Sequence, residues 1–332
     1  MITVAFFNNK GGVGKTSLVY HLAWTYSDMG LRVLVIDLDP QSNLSALCVS
    51  EDRLEELWSG NDESRESVYA CILPVKEELG DIAQAHIEEL SPRLGVVVGD
   101  VLLGSFEAKL SESWPKCLDR HGPSFRATTA FYRVAVQAAE DWHAEIVLMD
   151  VGPNLGALNR SALIAVDHVV VPLGADLFSI QALRNLGPTL RDWREQWSER
   201  CAKNPLPDLP MPEGAMKPAG YVVMQPNLYG GHVTRAYERW ITRIPTEFAR
   251  HVLNGHAPTT SVNTDPLSFG VVKHYRSLMP LAHDARKPIF HLQAADGVLG
   301  AHGTAAREAG KDFRRIGRKL ADRVGLDLKR QD

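Results

Sequence analysis

Apolar residues in this chain gather in short, nearly continuous runs, separated by longer stretches in which they recur every third or fourth position. The runs are Ile2 to Phe7, Leu31 to Ile36, Leu94 to Val98, Ile146 to Met149, His168 to Leu173 and Tyr221 to Met224. Rich in β-branched residues and without a polar face, they read as strands covered on both sides, as in a parallel sheet. Helical spacing follows most of them: Leu18 to Met29, stopping at Gly30; Ala127 to Trp142, with Phe131, Val134, Ala138 and Trp142 on one face; Ala157 to Ala165; and Phe178 to about Arg200. The last helix, from about Thr304 to Val324, places Ala306, Ala309, Phe313, Ile316, Leu320 and Val324 on one side. Strands alternating with helices predict an α/β fold with a single doubly wound, mostly parallel sheet and helices on both faces. Lys287 to Phe290 reads as a further short strand, Ala294 to Gly303 as a small-residue loop, and His232 to His256 as helical.

At 332 residues, with 45% hydrophobic and 23% charged side chains, the chain is long enough for a substantial core and is read as one domain over residues 1–332. Residues 50–92 are acidic, helical in tendency and interrupted by Gly and Pro, and are read as a surface insertion. Pro205, Pro207, Pro210, Pro212 and Pro218 make residues 203–218 a loop or linker. Trp193 and Trp197, four apart, are assigned to packing rather than to base stacking. No stretch approaches the roughly 18 apolar residues of a membrane span, and the N-terminus lacks a secretory pattern, so a cytoplasmic protein is expected. Cys48, Cys71, Cys117 and Cys201 are scattered without metal-like spacing, and reduced thiols are expected.

The candidate chemistry is concentrated at the start. Asn9 to Ser17 (NKGGVGKTS) lies between the first strand and the first helix. A glycine-rich turn there lets backbone N–H groups converge on phosphate oxygens at the positive end of a helix dipole. Gly11, Gly12 and Gly14, with Val13 between them, supply the loop. Lys15 would reach the outer phosphates, and Thr16, followed by Ser17, would place a hydroxyl on a Mg²⁺ ion. The second strand ends in Asp37-Leu38-Asp39-Pro40-Gln41, and alternation projects Asp37 and Asp39 to one side. Such carboxylates suit Mg²⁺ binding and orientation of an attacking water, although Asp-Pro-Gln-Ser-Asn alone is also a turn signal. Asp150 closes the strand before Val151-Gly152-Pro153.

Lys10, ahead of the first glycine, makes the loop KGGVGKT. With both lysines it resembles the deviant Walker A loop of the ParA/MinD/Soj family of dimerising ATPases; DLDPQ and the segment VDHVVVPLGADLFSIQALRNL resemble the same family. The resemblance runs from Ile2 to about Leu190, and more loosely from Tyr221 onward. It implies ATP and Mg²⁺ as cofactors and a homodimer on ATP binding, with Lys10 crossing to the partner's phosphates. It also implies Lys15 in the phosphate loop, Asp39 positioning the attacking water, and Asp37 and Asp150 in the Mg²⁺ shell. Asn227, after the strand at Tyr221 to Met224, falls where related ATPases contact adenine, but is equally a turn residue.

Charge distribution bears on partners. The net charge is −4, yet residues 306–332 carry nine basic against five acidic side chains. Lys311, Arg314, Arg315, Arg318, Lys319 and Arg323 on the last helix form one basic surface. Arg235, Arg239 and Arg243, four apart, form a second, read either as a solvated helix face or as a contact to phosphate backbone. Relatives of this type bind DNA without reading sequence and release it when a ParB-like partner stimulates hydrolysis; nucleoid association is the corresponding location. A MinD-like membrane-associated ATPase is the alternative, and a small-molecule enzyme on the same scaffold a third. The chain opens at its first strand with no helix-turn-helix ahead, so operator recognition is not expected.

Overall fold

The apolar runs form strands in a computed structural model that describes residues 1–61, 64–224, 235–256, 260–275 and 277–328, with backbone alone at 235 and 236. The strands are β1 (Ile2–Phe6), β2 (Val33–Asp37), β3 (Glu88–Ser91), β4 (Leu94–Val97), β5 (Ile146–Asp150), β6 (His168–Gly174), β7 (Lys217–Met224) and β8 (Ser268–Val272). They make one sheet in the order β3-β4-β2-β5-β1-β6-β7-β8, parallel throughout except where β3 pairs with β4. β1, β2 and β5 lie at its centre and are almost wholly buried, as continuous apolar runs require.

The helices are α1 (Lys15–Asp28), α2 (Asn43–Cys48), α3 (Glu51–Leu57), α4 (Val68–Lys76), α5 (Phe106–Lys116), α6 (Gly122–Thr128), α7 (Ala130–Trp142), α8 (Ala157–Ile164), α9 (Leu177–Cys201), α10 (Arg235–Ile241), α11 (Ile244–Glu247), α12 (Leu278–Ala285) and α13 (Ala301–Val324). Strand side chains alternate between two cores. Val4, Phe6, Val33 and Val35 pack with α1, α2, α3 and α13; Ala5, Phe7, Leu34 and Ile36 pack with α4 to α9 and α11. Among the described residues, no helix is long and apolar enough to cross a membrane.

Several expectations change. The acidic stretch at 50–92 is not all surface: Val68, Tyr69, Ile72 and Val75 of α4 are buried in the main core, and Glu88 to Ser91 add an antiparallel edge strand. Lys287 to Phe290 is not a strand. Its Ile289 amide donates to His21 Nε2, and Ile289–His291 forms a 3₁₀ turn, while the sheet edge is occupied by β8, which lacked a sequence signal. The small-residue stretch at 294–303 contains a 3₁₀ turn, Ala294–Asp296, and the first residues of α13.

The helical reading of 232–256 is interrupted at residues 242–243, between α10 and α11; Pro245 lies in the first turn of α11, where a missing N–H costs little, and the segment passes into a π turn, Phe248–Val252. Arg243 therefore stands outside α10, in the turn before α11, while Arg239 lies within α10. Arg239 and Arg243 flank the Trp240 ring, each 5.0 Å from its centre, and Arg243 is tied to Glu247 at 3.0 Å. The side chain of Arg235 and the whole of Asn227 lie outside the described residues.

Trp193 and Trp197 are buried, Trp197 stacking on Trp114 at 5.9 Å.

Candidate functional site

Parallel register brings the chemistry together. Phe6 and Asp37 both lie opposite Asp150, so β1, β2 and β5 reach their carboxyl ends at the same level. Ligands bind at that edge in open α/β sheets. The chain leaves β1 into Asn8, whose side-chain amide donates to the Pro172 carbonyl at 2.6 Å and whose oxygen accepts from the Lys10 amide at 2.9 Å. Gly12 and Gly14 take positive φ, +69° and +78°, a region that favours glycine. A Cβ at Gly12 would meet nothing within 4 Å, so the loop wraps open space. α1 begins at Lys15 and presents its free first-turn amides there.

The electrostatics of the pocket floor are unusual. Lys15 is 7% exposed, and burial pushes its ammonium pKa down against the pull of Asp150 and Asp39. Asp150 is fully buried, and among the described residues neither of its carboxylate oxygens has a partner within hydrogen-bond distance, although the Thr16 hydroxyl and Lys15 stand nearby. Burial, then the nearby Asp37, holds its pKa far above the usual carboxylate range; the Thr16 hydroxyl and Lys15 oppose the shift. Asp37 is also raised by burial, but it is occupied: it accepts from the Ser45 amide at 2.9 Å, the Ser45 hydroxyl at 2.7 Å and the Asp39 amide at 3.2 Å. The two carboxylates thus differ. Asp37 pins the start of α2, whereas Asp150 keeps its lone pairs free.

Asp39 lies beyond the end of β2 rather than in strand register with Asp37. It accepts from the Gln41 amide at 3.0 Å, and a Cβ on Gly152 would come within 3.4 Å of its Oδ1. It therefore faces the loop that follows Asp150. Lys10 is paired within its own chain, its Nζ 2.5 Å from Asp176 Oδ2. Asp176 also caps α9, accepting from the Ser179 amide at 2.9 Å. The Asp-Leu-Phe-Ser pattern at 176–179 is a readable cap signal, but nothing in it announces the partner.

Beside the loop opens a cavity of about 440 Å³, walled by Lys10, Gly14, Asp176, Val272, Tyr275 and Phe313 among others. Sequence reading missed the Val272 and Tyr275 part of this wall because it comes from the unrecognised β8 and its exit. The wall is held to α1 by His21, whose Nδ1 bonds the Ser17 carbonyl at 2.7 Å while Nε2 accepts from Ile289. Burial lowers the His21 pKa to about 4, keeping the ring neutral and able to accept.

Whether these residues suit Mg²⁺ is decided by the donor set. Among the described residues no three His, Cys, Asp or Glu side chains converge as a protein-only cage. Mg²⁺ at phosphate sites takes one or two carboxylates with phosphate oxygens and water, so the unpaired Asp150 oxygens and the nearby Thr16 fit it.

A phosphate loop after β1, with the acid-ended β5 beside it and the acid-ended β2 next in order, is the arrangement of the P-loop NTPase fold. The family described as an AAA domain matches residues 1–202, and the chain belongs to it and, within it, to the ParA/MinD group. It is similar to protein IncC of Escherichia coli, with 29% identity over 196 residues, 59% of this chain and 47% of IncC. To the chromosome partitioning protein ParA of Caulobacter vibrioides the identity is 28% over 197 residues, 59% of this chain and 65% of that protein. The matches thus span about half to two thirds of those relatives. Among solved structures, protein DIP2308 of Corynebacterium diphtheriae superposes with a TM-score of 0.68 at 29% identity, covering 86% of this chain and 97% of that one. Cyanothece McdA, solved with ATP, superposes at 0.63 and 13% identity, covering 98% and 97%; this likeness is one of fold.

Proposed function

We propose that this chain is an ATP-dependent, dimerising ATPase of ParA type. It binds DNA without sequence preference in its ATP state and hydrolyses ATP to partition or position a plasmid, a chromosome or another cargo. The observation that carries the reading is Asp150. A buried carboxylate with both oxygens unpaired, facing a second carboxylate, is costly unless a cation meets it.

Lys15 and the amides of Gly11 to Ser17 would hold the phosphates, and Thr16, Asp150 and, less directly, Asp37 would hold Mg²⁺. Held there, Mg²⁺ would supply neutralisation of the negative charge of the phosphates. Asp39 would orient the attacking water. The partner subunit's phosphates would draw Lys10 away from Asp176, since a half-exposed ion pair is worth about 1 kcal/mol or less and gives way to phosphate charge.

DNA is favoured over a membrane because of how α13 packs. Its apolar face is spent on the protein: Phe313, Ile316 and Leu320 are buried, and the Tyr26 hydroxyl donates to the Gly317 carbonyl at 3.0 Å. A lipid-binding helix needs that face free. Arg314, Arg315, Arg318 and Lys319 are left exposed, and such a surface suits counterion release from phosphates. A ParB-like protein is the expected stimulating partner, and the nucleoid the expected location.

The experiment is binding of the Asp39→Ala protein to random-sequence duplex DNA with ATP, with ADP and without nucleotide, across a salt series. ATP-dependent, salt-sensitive binding supports the proposal. Absence of binding under every condition, with ATP dimerisation intact, refutes the DNA part and turns attention to liposomes.

A further inference from the structure

The loop Gly152–Gly156, between Asp150 and α8, faces the site on two sides. Gly152 lies against Asp39, and a Cβ on Gly11 of the phosphate loop would meet Pro153 Cγ at 3.9 Å. One tie lies within the loop, where Asn154 Oδ1 accepts from the Gly156 amide at 2.9 Å; the others come from outside it. Glu107, on α5, places Oε1 2.7 Å from the Ala157 amide and Oε2 2.7 Å from the Leu158 amide. One carboxylate thus takes the first two free N–H groups of α8 in a charge-assisted, two-pronged cap. The approach is close: a Cβ on Gly156 would fall 2.6 Å from Glu107 Oε1, so the contact needs glycine there.

From within α8, Asn159 reaches back over the same loop. Its side-chain amide nitrogen donates to the Gly152 carbonyl at 2.8 Å and the Asn154 carbonyl at 2.7 Å. The loop is therefore stapled to α8, and α8 is fixed to α5 at its first turn. A second tie lies one turn further along, where the Arg160 guanidinium sits 4.2 Å from the centre of the Trp114 ring of α5.

We propose that Glu107 is a positioning residue for ATP hydrolysis: by capping α8 it sets where Gly152 and Pro153 stand against Asp39 and the phosphate loop. The inference rests on the hydrolytic reading above. Loss of the cap lets the start of α8 fray, and Asn159 carries the displacement to the loop. Catalysis depends steeply on such placement, whereas nucleotide affinity comes mainly from the phosphate loop on the other side of the site.

Glu107→Ala and Glu107→Gln are compared with the unaltered full chain in two measurements. In hydrogen exchange without nucleotide, Glu107→Ala is expected to speed exchange at residues 152–158 about tenfold, leaving Gly12 to Ser17 unchanged. In steady-state turnover, kcat is expected to fall about tenfold or more while the KM for ATP moves by less than about twofold. Glu107→Gln, which retains one acceptor, restores part of both. Unchanged exchange at 152–158 overturns the proposal. So does a joint loss of kcat, KM and phosphate-loop protection, which marks general destabilisation. Should the unaltered protein hydrolyse no ATP, the hydrolytic reading falls, and the exchange comparison still decides whether Glu107 holds the loop.

Discussion

Asp150 carries the sharpest electrostatic cost in the site, and its sign is testable. Burial and the neighbouring Asp37 raise its folded-state pKa well above the ordinary carboxylate range, so in the window of pH above that range the folded chain still holds a proton that the unfolded chain has lost. Stability of the nucleotide-free protein therefore falls as pH rises through that window. Asp150→Asn removes the ionisation; in thermal melts it is expected to be more stable than the original near pH 8, with the difference shrinking toward pH 4. The same variant is expected to lose Mg²⁺-dependent nucleotide binding. Melts that track the original at every pH would mean that Asp150 ionises without penalty. A second residue-scale prediction concerns Lys10. Asp176→Asn keeps the cap on α9 but removes the charge, so Lys10 is freed and the ATP-dependent dimer is expected to tighten about two- to fivefold in sedimentation experiments. Lys10→Ala should spare ATP binding and lose the dimer; a dimer that persists would rule out the crossed-lysine arrangement.

At the scale of elements, α13 unites two roles that its sequence pattern had only placed side by side. Its apolar face docks on α1, where Phe313 stacks on His21 at 4.7 Å and 12° between planes, and Phe313 also walls the cavity beside the phosphate loop. Phe313→Ala is expected to cost about 3–5 kcal/mol of stability in denaturant titration and to weaken nucleotide binding as well. On the opposite face, Arg315 is 2.8 Å from Asp312 and Lys319 reaches the Ser268 carbonyl, whereas Arg318 is exposed and has no such tie among the described residues. Arg318→Ala is accordingly expected to lower the slope of log affinity against log salt for DNA by about one, with little change in melting temperature. An unchanged slope would remove Arg318 from the DNA-contacting set. The arginines at 239 and 243 make a related point: a spacing of four residues places them on one helix only while the helix continues, and here α10 ends at Ile241, before Arg243.

At the scale of the molecule, two subunits closing on ATP would bring the outward-facing residues of α13 into one surface in each half of the dimer. Asp39→Ala is expected to bind ATP and accumulate as a dimer, visible as a doubled mass in light scattering, because closure precedes hydrolysis in the proposed cycle. A monomer under saturating ATP would count against that order.

The sequence by itself determined the central strands, the phosphate loop between β1 and α1, the acid-ended strands at Asp37 and Asp150, and the amphipathic last helix. These are local in cause: continuous apolar runs, glycine in a tight turn and a 3.6-residue period are each readable over a dozen positions. Only the tertiary structure decided which of the like charges are free. Asp37 and Asp150 are alike in sequence, but Ser45 hydrogen-bonds the one, whereas among the described residues neither oxygen of the other has a partner within hydrogen-bond distance. Lys10 meets Asp176 and Glu107 caps α8 across 166 and about 50 residues of chain. Such pairings follow from how the sheet orders its strands and how helices pack on its faces, and a charged side chain carries no local mark of the partner that the fold will bring to it.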